Sequence, residues 1–426
     1  MTEEIISVIG LGYVGLPLAS ALSNHYKVIG FDTNENRVDE LRQGLDLKKT
    51  VNFDKINLDS LIFTSSIDCI KNASFYIITV PTPVDESNKP ELIYIKQACE
   101  IIGAALTEGD IVMLESTVSP STTEEYCIRI LENISGLQLN KNFYIGYSPE
   151  RINPGFYNSR FLENTKIISS SCNVGGRLRI ENVYKKIFKS NYIFTDDIKL
   201  AEACKLVENI QRDVNIALMN ELLNLFSTVN MDIYKIIKLC MTKWNFSEYY
   251  PGLVGGHCIS VDPYYLIDFA ENKNISLDLV KLARKINSEK VNIIHQKIKS
   301  ILRDGSSVGL LGLSYKPDIN DVRNSQSIIL AQLLAKDGLD IKIHDPHITQ
   351  NQLPDELKFV YERSFENTLQ CEVLVISIKH EEYKALSEPS LLNTYVSNKV
   401  VIDLVGLFSV NDCSAQEQYK IHHILM

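Results

Sequence analysis

The chain lacks a basic excess, paired cysteines and long apolar runs, and each absence excludes a class of function. It has 43 Lys and Arg against 53 Asp and Glu, a formal net charge of −10, so it lacks the basic surface that broad nucleic-acid binding requires. Glycines and a proline interrupt the longest apolar candidate, VIGLGYVGLPLASALS, well short of a membrane span. We therefore expect no nucleic-acid partner and no membrane insertion.

The distribution of thiols bears on compartment and on metals. The 9 cysteines include no C-x-x-C pair and no Cys/His spacing of a zinc site, which is typical of free thiols in a reducing compartment. The first ten residues, MTEEIISVIG, have acidic side chains where a signal peptide has basic ones. We expect a cytoplasmic protein of two or three domains with no metal site.

Two parts of the chain alternate β-rich runs with helical segments. In the first, IISVIG, KVIGFD, SFYIITV and DIVMLES predict strands and GLPLASALSNH predicts a helix; in the second, SVGLLGLS, DIKIHDP, EVLVISI and KVVIDLV predict strands and SQSIILAQLLAKDG predicts a helix. In both parts a strand, a turn and a helix precede a strand that ends in an aspartate, Asp32 or Asp345. The pattern predicts an α/β fold with two Rossmann-like, doubly wound parallel-sheet domains.

Between these parts lies a long helical stretch. Thr195 is its predicted N-cap, and an apolar stripe follows at three- and four-residue steps: Leu200, Cys204, Val207, Ile210, Val214, Leu218, Leu222 and Leu225. At ~50 Å such a helix is too long for one small core, so we expect a second subunit to cover its other face in a homodimer. A long helix within one domain is the alternative. The predicted domains are 1–194, a central helical region 195–302, and 303–426.

A glycine motif follows the first predicted strand. G-x-G-x-x-G is formed by Gly10, Gly12 and Gly15 at the start of a helix, whose N-terminal amides favour a pyrophosphate. Asp32, at the end of the next strand, suits both ribose hydroxyls of NAD and would repel the 2′-phosphate of NADP. Thr82 and Thr117 end later strands, where ligands of open parallel sheets bind, although capping of the strand ends is an equal alternative.

The stretch PGLVGGHCISVDPYYL surrounds Cys258 with glycines that let a ligand approach the thiol closely; a tight turn around a buried thiol is the alternative. We expect His257 to be structural, with tuning of the thiol as a second possibility. Asp262, four residues after the cysteine, is a catalytic candidate or an Asx-turn residue. In SPERINPG, Glu150 is a further candidate, with a solvated loop carboxylate as the alternative.

Two pairs of basic and polar residues add to this set. Lys205 and Asn209 are four residues apart on the long helix, so they share a face that suits a developing oxyanion. A lysine that extends to solvent from a helix interface is the alternative. Lys316 and Arg323 follow a strand of the last domain and predict a second phosphorylated ligand there.

Together, GLGYVGLP, VPTPVD, ESTV, SPERINPG, PGLVGGHCISVDPYYL and GLSYKPDINDVRNS resemble the UDP-glucose/GDP-mannose dehydrogenase family, in order and over nearly the whole chain. The resemblance implies an N-terminal NAD domain, a central dimerisation region and a C-terminal UDP-sugar domain. SPERINPG with GGHC is more similar to the branch acting on UDP-N-acetylglucosamine or UDP-N-acetylgalactosamine, whose members serve bacterial capsule and O-antigen synthesis. UDP-glucose members carry a second glutamate at the position of Pro154, which weakens that assignment.

The resemblance also implies a four-electron oxidation at the sugar C6, through a Cys258 thiohemiacetal and a thioester. The implied catalytic residues are Cys258, Lys205, Asn209, Asp262, Thr117 and Glu150. The implied NAD contacts are Gly10, Gly12, Tyr13, Val14, Gly15, Asp32, Arg37, Thr82, Thr117 and Arg323. The implied substrate contacts are Glu150, Arg151, Lys205, Asn209, Tyr249, Gly252, Gly255, Gly256 and Lys316, with the glycines leaving room beside the sulfur.

Three alternatives stay open at this point. The same chemistry would serve UDP-glucose, UDP-N-acetylmannosamine or GDP-mannose. A two-electron hydroxy-acid dehydrogenase also combines a Rossmann domain with a long helix, but it needs no cysteine and yields one NADH per substrate. A non-enzymatic nucleotide-binding protein would need none of the thiol, lysine and asparagine.

Overall fold

The computed structural model describes residues 4–151, 164–229, 231–302, 305–387, 399–408 and 421–422. The chain forms two compact units. Unit 1 comprises residues 1–208 and 264–276, and unit 2 comprises residues 209–263 and 277–426. None of the described helices combines the length and apolarity that crossing a membrane requires. The three-domain division predicted from the sequence stays a prediction.

Unit 1 is built on a sheet of eight strands. They are β1 (Ile5–Ile9), β2 (Lys27–Phe31), β3 (Leu61–Thr64), β4 (Phe75–Ile78), β5 (Asp110–Leu114), β6 (Phe143–Tyr147), β7 (Lys166–Ser170) and β8 (Tyr192–Thr195). Their order is β3-β2-β1-β4-β5-β6-β7-β8. The first six strands pair in parallel, β7 runs antiparallel to β6, and β8 is parallel to β7.

Helices cover both faces of this sheet. They are α1 (Gly15–Ser23), α2 (Glu35–Arg42), α3 (Ile67–Ile70), α4 (Ile93–Gly103), α5 (Ile128–Ser135) and α6 (Val174–Phe188). Alternate residues of β1 face opposite sides, so Ile6 and Val8 pack in the cluster that contains α1 and α6, whereas Ile9 packs in the cluster that contains α4 and α5. This two-sided burial explains why β1 reads as a continuous apolar run.

Unit 2 contains a smaller parallel sheet. Its strands are β9 (Ser307–Leu311), β10 (Asp340–His344), β11 (Val373–Ile376), β12 (Val400–Asp403) and β13 (Ile421–His422), in the order β10-β9-β11-β12-β13. Every pairing is parallel. With the sheet of unit 1, this confirms the prediction of two Rossmann-like parallel-sheet domains, apart from the reversal at β7.

The remaining helices follow in chain order. They are α7 (Ile198–Thr228), α8 (Ile233–Cys240), α9 (Asp262–Glu271), α10 (Asp278–Ile301), α11 (Gln326–Lys336), α12 (Asp355–Lys358) and α13 (Phe365–Thr368). The boundary between the units falls within α7 and within α9.

The long helix α7 has 31 residues, or roughly 46 Å, as its apolar periodicity predicts. Its predicted N-cap was wrong. Thr195 is the last residue of β8, and Asp197 takes the cap position, where its Oδ1 accepts a hydrogen bond from the backbone N–H of Lys199 at 2.9 Å. Strand pairing with β7 holds Thr195 extended, so the helix can begin only after the turn that follows.

The apolar stripe of α7 does not form its buried face. Four members of the stripe are 47–61% exposed: Leu200, Val207, Leu218 and Leu225. The buried face carries other apolar residues together with Ile210 of the stripe, and it also carries five polar ones: Glu202, Lys205, Asn209, Asp213 and Asn220. Burial of polar groups is tolerated only where hydrogen bonds satisfy them. The polar positions of the buried face are therefore specified by particular partners, beside an apolar part that packs in the cores.

Candidate active site

The glycine turn after β1 is held by contacts that no side chain would permit. Gly10 has φ +97°, in the left-handed region, and a Cβ on Gly15 would lie 1.8 Å from the carbonyl oxygen of Gly10. The hydroxyl of Thr79, just after β4, donates to the carbonyl oxygens of Ile9 at 3.0 Å and Gly10 at 2.8 Å. Thr79, which sequence reasoning missed, thus braces the turn from the neighbouring strand.

The turn fits a dinucleotide phosphate. A Cβ on Gly12 would meet no atom within 4 Å, so space opens beside this residue alone of the three glycines. Helix α1 begins directly after the turn with no side-chain N-cap, and Tyr13 and Val14 at its entrance are half-buried. Uncapped helix N-termini present backbone N–H groups to anions. NAD would be held here, with its phosphates at Gly12 and the start of α1.

Asp32 lies at the end of β2, next to this turn. Its Oδ2 accepts from the backbone N–H of Leu11 at 2.8 Å and its Oδ1 from that of Asn34 at 2.9 Å, which fixes a half-buried carboxylate. Each carboxylate oxygen can accept a further hydrogen bond, which suits the two ribose hydroxyls. Arg37 is buried and donates to the carbonyl of Leu11 at 3.0 Å.

The guanidinium of Arg37 is also paired with two carboxylates. Its Nη1 lies 2.5 Å from Glu40 and its Nη2 lies 2.8 Å from Asp46. Together with its bond to the turn, these pairs make Arg37 a brace of the glycine turn in this structure. Its contact with the NAD adenosine stays a prediction.

The predicted threonines lie at the carboxyl ends of β4 and β5. Thr82 and Thr117 are both half-buried. The intervening Ser116 donates its hydroxyl to the carbonyl of Val80 at 2.7 Å, and the buried Tyr265 donates to the carbonyl of Pro83 at 3.1 Å. The first bond ties the ends of β4 and β5 together at the edge where ligands of parallel sheets bind, and the second ties α9 to the segment after β4.

A buried ion cluster lies behind the predicted Glu150. Lys166, at the start of β7, places its ammonium 2.7 Å from Glu115 and 3.5 Å from Glu150. The hydroxyl of Tyr184 donates to Glu115 at 2.5 Å. Burial raises the pKa of Glu115, and, although burial opposes it, the two carboxylates raise the pKa of Lys166. Lys166 therefore remains the cation that neutralises this cluster.

Arg151, next to Glu150, has its guanidinium engaged within unit 1. It pairs with Glu208 of α7 at 2.5 Å and donates to the carbonyl of Thr165 at 2.7 Å. Its substrate contact stays a prediction. Pro154, the position of the second family glutamate, lies outside the described residues.

In unit 2 the glycines beside Cys258 pack against protein. A Cβ on Gly255 would lie 2.5 Å from the carbonyl oxygen of Asn324, and one on Gly256, with φ +85°, would lie 2.7 Å from the ring of Tyr315. The amide of Asn324 also donates to the carbonyl of Gly256 at 3.2 Å. The loop after β9 therefore fills the space where a side chain of Gly255 or Gly256 would lie. The expected room beside the sulfur stays a prediction.

The rest of the cysteine loop is pinned by buried polar side chains. Asn220 of α7 forms hydrogen bonds with both the N–H and the carbonyl of Gly252, at 3.0 and 3.1 Å. Arg284 of α10 pairs with Asp213 at 3.0 Å and donates to the carbonyl of Ile259 at 3.4 Å. Tyr249 packs on the apolar core of unit 2. The polar face of α7 thus positions the loop that carries the thiol.

Cys258 is half-buried and begins the turn that leads into α9. Its carbonyl accepts from the backbone N–H of Asp262 at 2.8 Å, which brings thiol and carboxylate to one turn. The amide of Asn209 donates to Oδ2 of Asp262 at 2.5 Å, and both side chains are buried. Three predicted site residues of unit 2 are thereby brought together. Lys205 is buried on α7, one turn before Asn209.

Two basic groups near the thiol differ in charge at neutral pH. Burial, reinforced by Arg323, lowers the pKa of His257 to about 4, so His257 is neutral and cannot stabilise a thiolate by charge. Burial also lowers the pKa of Lys316 to about 8, while the Cys258 thiolate opposes that shift. Lys316 is still mostly protonated at pH 7 and is a cation that interacts with the sulfur.

Arg323 and the turn after β9 complete the site residues of unit 2. Arg323 forms a bidentate pair with Asp321, at 2.9 and 2.7 Å, and its predicted contact with NAD stays a prediction. Gly312 has φ +96°, and the hydroxyl of Ser377 donates to its carbonyl at 2.6 Å. This is the arrangement of Gly10 and Thr79 repeated in unit 2.

The signals that could have found the missed residues differ. Thr79 and Ser377 each stand one residue beyond the strand next to the glycine turn, so a hydroxyl at that position is a readable signal. Lys166 lies in a strand with no motif around it, and Arg284 lies in the middle of α10. Only contacts across the fold reveal those two.

Family models cover most of the chain. Residues 4–188 match the NAD binding domain of the UDP-glucose/GDP-mannose dehydrogenase family, residues 199–289 its central domain, and residues 309–410 its UDP binding domain. The chain is 37% identical over 426 residues to Protein CapL of Staphylococcus aureus, covering 97% of this chain and 98% of that protein. It is 38% identical over 409 residues to a UDP-N-acetyl-D-glucosamine 6-dehydrogenase of Salmonella typhi, covering 94% and 96%.

Solved structures give the same result. A UDP-D-ManNAc dehydrogenase from Pyrococcus horikoshii superposes with a TM-score of 0.83 at 28% identity, covering 96% of each chain. These matches confirm the predicted NAD cofactor, the predicted dehydrogenase activity and the presence of a UDP-binding domain.

Proposed function

The chain belongs to the UDP-glucose/GDP-mannose dehydrogenase family, and we propose that it oxidises the C6 hydroxyl of a UDP-N-acetylhexosamine to the uronic acid. UDP-N-acetylglucosamine and UDP-N-acetylgalactosamine are the proposed substrates. The main support is a half-buried thiol one turn from a buried carboxylate and amide, in a chain 38% identical to a UDP-N-acetyl-D-glucosamine 6-dehydrogenase. Capsule or O-antigen synthesis in the cytoplasm is the proposed setting, and the likeness to CapL supports the capsule.

Cys258 is proposed to hold the half-oxidised sugar. Loss of a proton and a hydride from C6 turns the alcohol into an aldehyde, and the thiolate adds to that carbonyl to give a thiohemiacetal, which again bears a C–H bond beside oxygen. Loss of a second hydride and proton gives a thioester, and water then releases the carboxylate and the thiol. NAD, when bound in unit 1, supplies the hydride acceptor for both oxidations.

The polar residues of α7 are proposed to stabilise charge on the C6 oxygen. An ammonium and an amide N–H aimed at a developing oxyanion lower its energy most in a site that excludes water. Lys205 and Asn209 are both buried, and the hydrogen bond to Asp262 fixes the orientation of the Asn209 amide. Asp262 is proposed to accept and return the proton that accompanies addition and hydrolysis.

Glu150 is proposed to activate the hydrolytic water. Its carboxylate lies 3.5 Å from the ammonium of the buried Lys166, a contact that helps to hold it in place. Thr117 is proposed to position that water at the end of β5. Lys316 is proposed to contact the nucleotide-sugar, and its burial makes its charge more effective.

Counting NADH per sugar tests the four-electron reaction. We expect two NADH per uronic acid and no free aldehyde, because the aldehyde stays on the thiol. One NADH per product would support the two-electron class instead. Cys258→Ala should abolish uronate formation and Cys258→Ser should stall or turn over very slowly. Cys240→Ala, also at a half-buried cysteine, is the matched control and should keep full activity.

Intact-protein mass spectrometry tests the hydrolysis step. In Glu150→Gln the thioester should accumulate as a mass increase of one UDP-sugar acyl group on Cys258. Unchanged kinetics in that variant would assign the water to another group.

A panel of UDP-sugars tests the substrate. The C4 epimers glucosamine and galactosamine are compared first, by kcat/KM. UDP-N-acetylmannosamine is the second candidate, favoured by the similarity to the Pyrococcus horikoshii structure. A preference for UDP-glucose or GDP-mannose over every N-acetylated sugar would overturn the proposed substrate class.

A homodimer through α7 is proposed on the basis of its exposed apolar stripe. Leu218 and Leu225 are 47% and 57% exposed, and a row of such residues on one helix is typical of a subunit contact. Sedimentation equilibrium should give twice the chain mass, and Leu218→Lys with Leu225→Lys should shift the protein towards monomer. A wild-type monomer would contradict the proposal.

A further inference from the structure

Four potential metal ligands converge at one edge of the sheet in unit 2. Asp318 lies in the loop after β9, His347 follows β10, and His380 and Glu382 follow β11. The chain passes from β9 to β10 on one side and then crosses to β11 on the other side of β9, so the strand order reverses there. Ligands of open α/β sheets bind in the crevice beyond the carboxyl ends of strands at such a point. The cluster therefore occupies the position where this fold binds ligands.

The spacing of the donor atoms suits a first-row metal ion. Nε2 of His347 lies 3.4 Å from Oε2 of Glu382 and 3.7 Å from Oδ1 of Asp318, and Nδ1 of His380 lies 3.5 Å from the same Asp318 oxygen. One donor atom from each residue lies within 4.8 Å of all the others. Ligands of a tetrahedral zinc ion bonded at about 2.0–2.1 Å are separated by about 3.3 Å.

A supporting hydrogen bond fixes which nitrogen of His380 is a ligand. Its Nε2 lies 3.0 Å from Oδ2 of Asp345, and both side chains are buried. The Asp345 carboxylate only accepts, so Nε2 carries the proton and Nδ1 presents its lone pair to the cluster. Metal-binding histidines almost always donate their second N–H to a carboxylate in this way.

The cluster combines a buried histidine nitrogen with two carboxylates that are exposed to solvent. Nε2 of His347 is buried and has no hydrogen-bond partner within the described part of the chain. The side chains of Asp318 and Glu382 are 48% and 51% exposed, so an ion has a path from solvent. A buried nitrogen left without a partner is costly, and a metal ion would satisfy it.

One existing contact must be replaced. The backbone N–H of Asp318 donates to Nδ1 of His380 at 3.0 Å, and a metal ion would take over that lone pair. The Asp318 carboxylate also accepts from the backbone N–H of Glu381 at 2.9 Å, and it can keep this bond through its remaining lone pairs while it binds an ion.

We propose that Asp318, His347, His380 and Glu382 form a binding site for one divalent first-row transition-metal ion, with zinc the best match to two imidazoles and two carboxylates. The proposal does not rest on the proposed function or substrate. The sequence predicted no metal site because the ligands come from three segments, each after a different strand, at no spacing that a zinc motif uses.

The test is titration of the metal-depleted full chain with Zn²⁺ by calorimetry and with Co²⁺ by visible absorption. We expect one ion per chain and the intense visible bands of four-coordinate cobalt. His347→Gln and Glu382→Gln, both at partly exposed positions that leave the core intact, should each weaken binding by about a hundredfold or more. The metal should raise the melting temperature of the wild type and not of these variants.

His295→Gln is the matched control, because His295 pairs with Asp337 at 2.7 Å elsewhere in unit 2. It should bind the ion as the wild type does. A Cys258→Ser chain titrated in parallel separates the reactive thiol, whose cobalt complex absorbs in the near ultraviolet. Absence of saturable binding up to millimolar ion would overturn the proposal. So would equal binding by the wild type and His347→Gln, or binding lost only in Cys258→Ser.

Discussion

The two units contain the same turn and use its aspartate differently. Gly10 and Gly312 have nearly equal φ angles, +97° and +96°, and a hydroxyl from the next strand, Thr79 or Ser377, donates to each glycine carbonyl. The aspartate at the end of the second strand accepts a backbone N–H from each turn, from Leu11 or Leu313.

The carboxylates then diverge. Asp32 is half-buried, with a backbone N–H on each oxygen. Asp345 is 1% exposed, and its oxygens accept from Leu313, Ser314, His347 and His380. A buried carboxylate that already accepts hydrogen bonds from four protein groups is not available to the hydroxyls of a ribose. The turn is therefore a property of the fold, whereas binding of a ligand depends on whether the aspartate is covered by the protein.

The largest expected effect comes from breaking the first turn. In Gly15→Ala the new Cβ would lie 1.8 Å from the carbonyl oxygen of Gly10, so the turn must move. We expect NAD binding to be lost, a change of about 4 kcal/mol or more, by isothermal titration calorimetry. Gly12→Ala is the control, because its Cβ meets no atom within 4 Å. It should keep the wild-type melting temperature and weaken NAD binding only. Equal loss of stability in both variants would contradict this account.

Each unit contains a buried charge with buried partners: Lys166 with its carboxylates in unit 1, and Asp345 with His380 in unit 2. Lys166→Met leaves Glu115 and Glu150 without their cation, and we expect a destabilisation of about 3–5 kcal/mol in chemical denaturation. Lys166→Arg keeps the positive charge and should retain most of the stability that Lys166→Met loses. A Lys166→Met protein as stable as the wild type would mean that Glu115 takes up a proton easily. The pH at which the variant is most stable would then lie lower than that of the wild type.

The two aspartates can be exchanged for asparagine in parallel. Asp32→Asn should weaken NAD binding about ten- to hundredfold with little change in melting temperature, because a charged acceptor for ribose is lost. Asp345→Asn should instead lower the free energy of unfolding by about 2–3 kcal/mol, because a buried network loses its acceptor. Calorimetry and thermal unfolding of both variants check this. If Asp32→Asn and Asp345→Asn changed NAD binding and stability to the same extent, the distinction between a half-buried carboxylate that binds ligand and a buried structural one would be refuted.

Acid unfolding sharpens the same comparison. Burial alone would raise the pKa of Asp345, but the hydrogen bonds from His380 and the turn lower it below its usual value. A depressed carboxyl pKa contributes stability that is complete above the unfolded value near pH 4 and is lost as pH falls further. Asp345→Asn should therefore be less sensitive to pH below about 4 than the wild type.

The smallest expected effect concerns Lys316, in the loop after the second turn. Burial lowers its pKa to about 8, so it loses its charge as the pH rises from 7 to 9. We expect KM for the UDP-sugar to rise up to about tenfold over this range, because the proposed contact of Lys316 with the nucleotide-sugar loses its charge. Lys316→Arg stays charged and should lack this alkaline rise. An unchanged KM profile in that variant would exclude Lys316 as its cause.

Strand and turn positions could be read from the sequence because they depend on local chemistry. The runs at Ile5–Ile9 and Ser307–Leu311 are apolar on both faces, and such runs between turn residues have few other stable conformations. The glycine motif was equally readable, since only glycine tolerates φ +97° and the close approach at Gly15. By contrast, Thr195 was predicted to cap the long helix, but it is the last residue of β8 and pairs with β7.

The long helix shows where such reading ends. Periodicity established that α7 is a helix and gave its approximate length, because spacing along the chain fixes both. Which polar residues are buried was decided by partners far away in sequence: Glu202 accepts from Thr123, Asn209 donates to Asp262, and Asp213 pairs with Arg284. Hydrogen-bonding groups are buried only when geometry satisfies them, and geometry across the fold leaves no local pattern.

By itself, then, the sequence determined the two sheets, the phosphate turn and the family, each of which rests on neighbouring residues or on a dense motif. Tertiary structure alone decided that Lys166 neutralises two glutamates, that Tyr315 and Asn324 fill the space beside the cysteine glycines, and that Asp345 is enclosed while Asp32 is not. The reason is physical: burial and charge compensation are set by atoms brought together in space, whatever their distance along the chain.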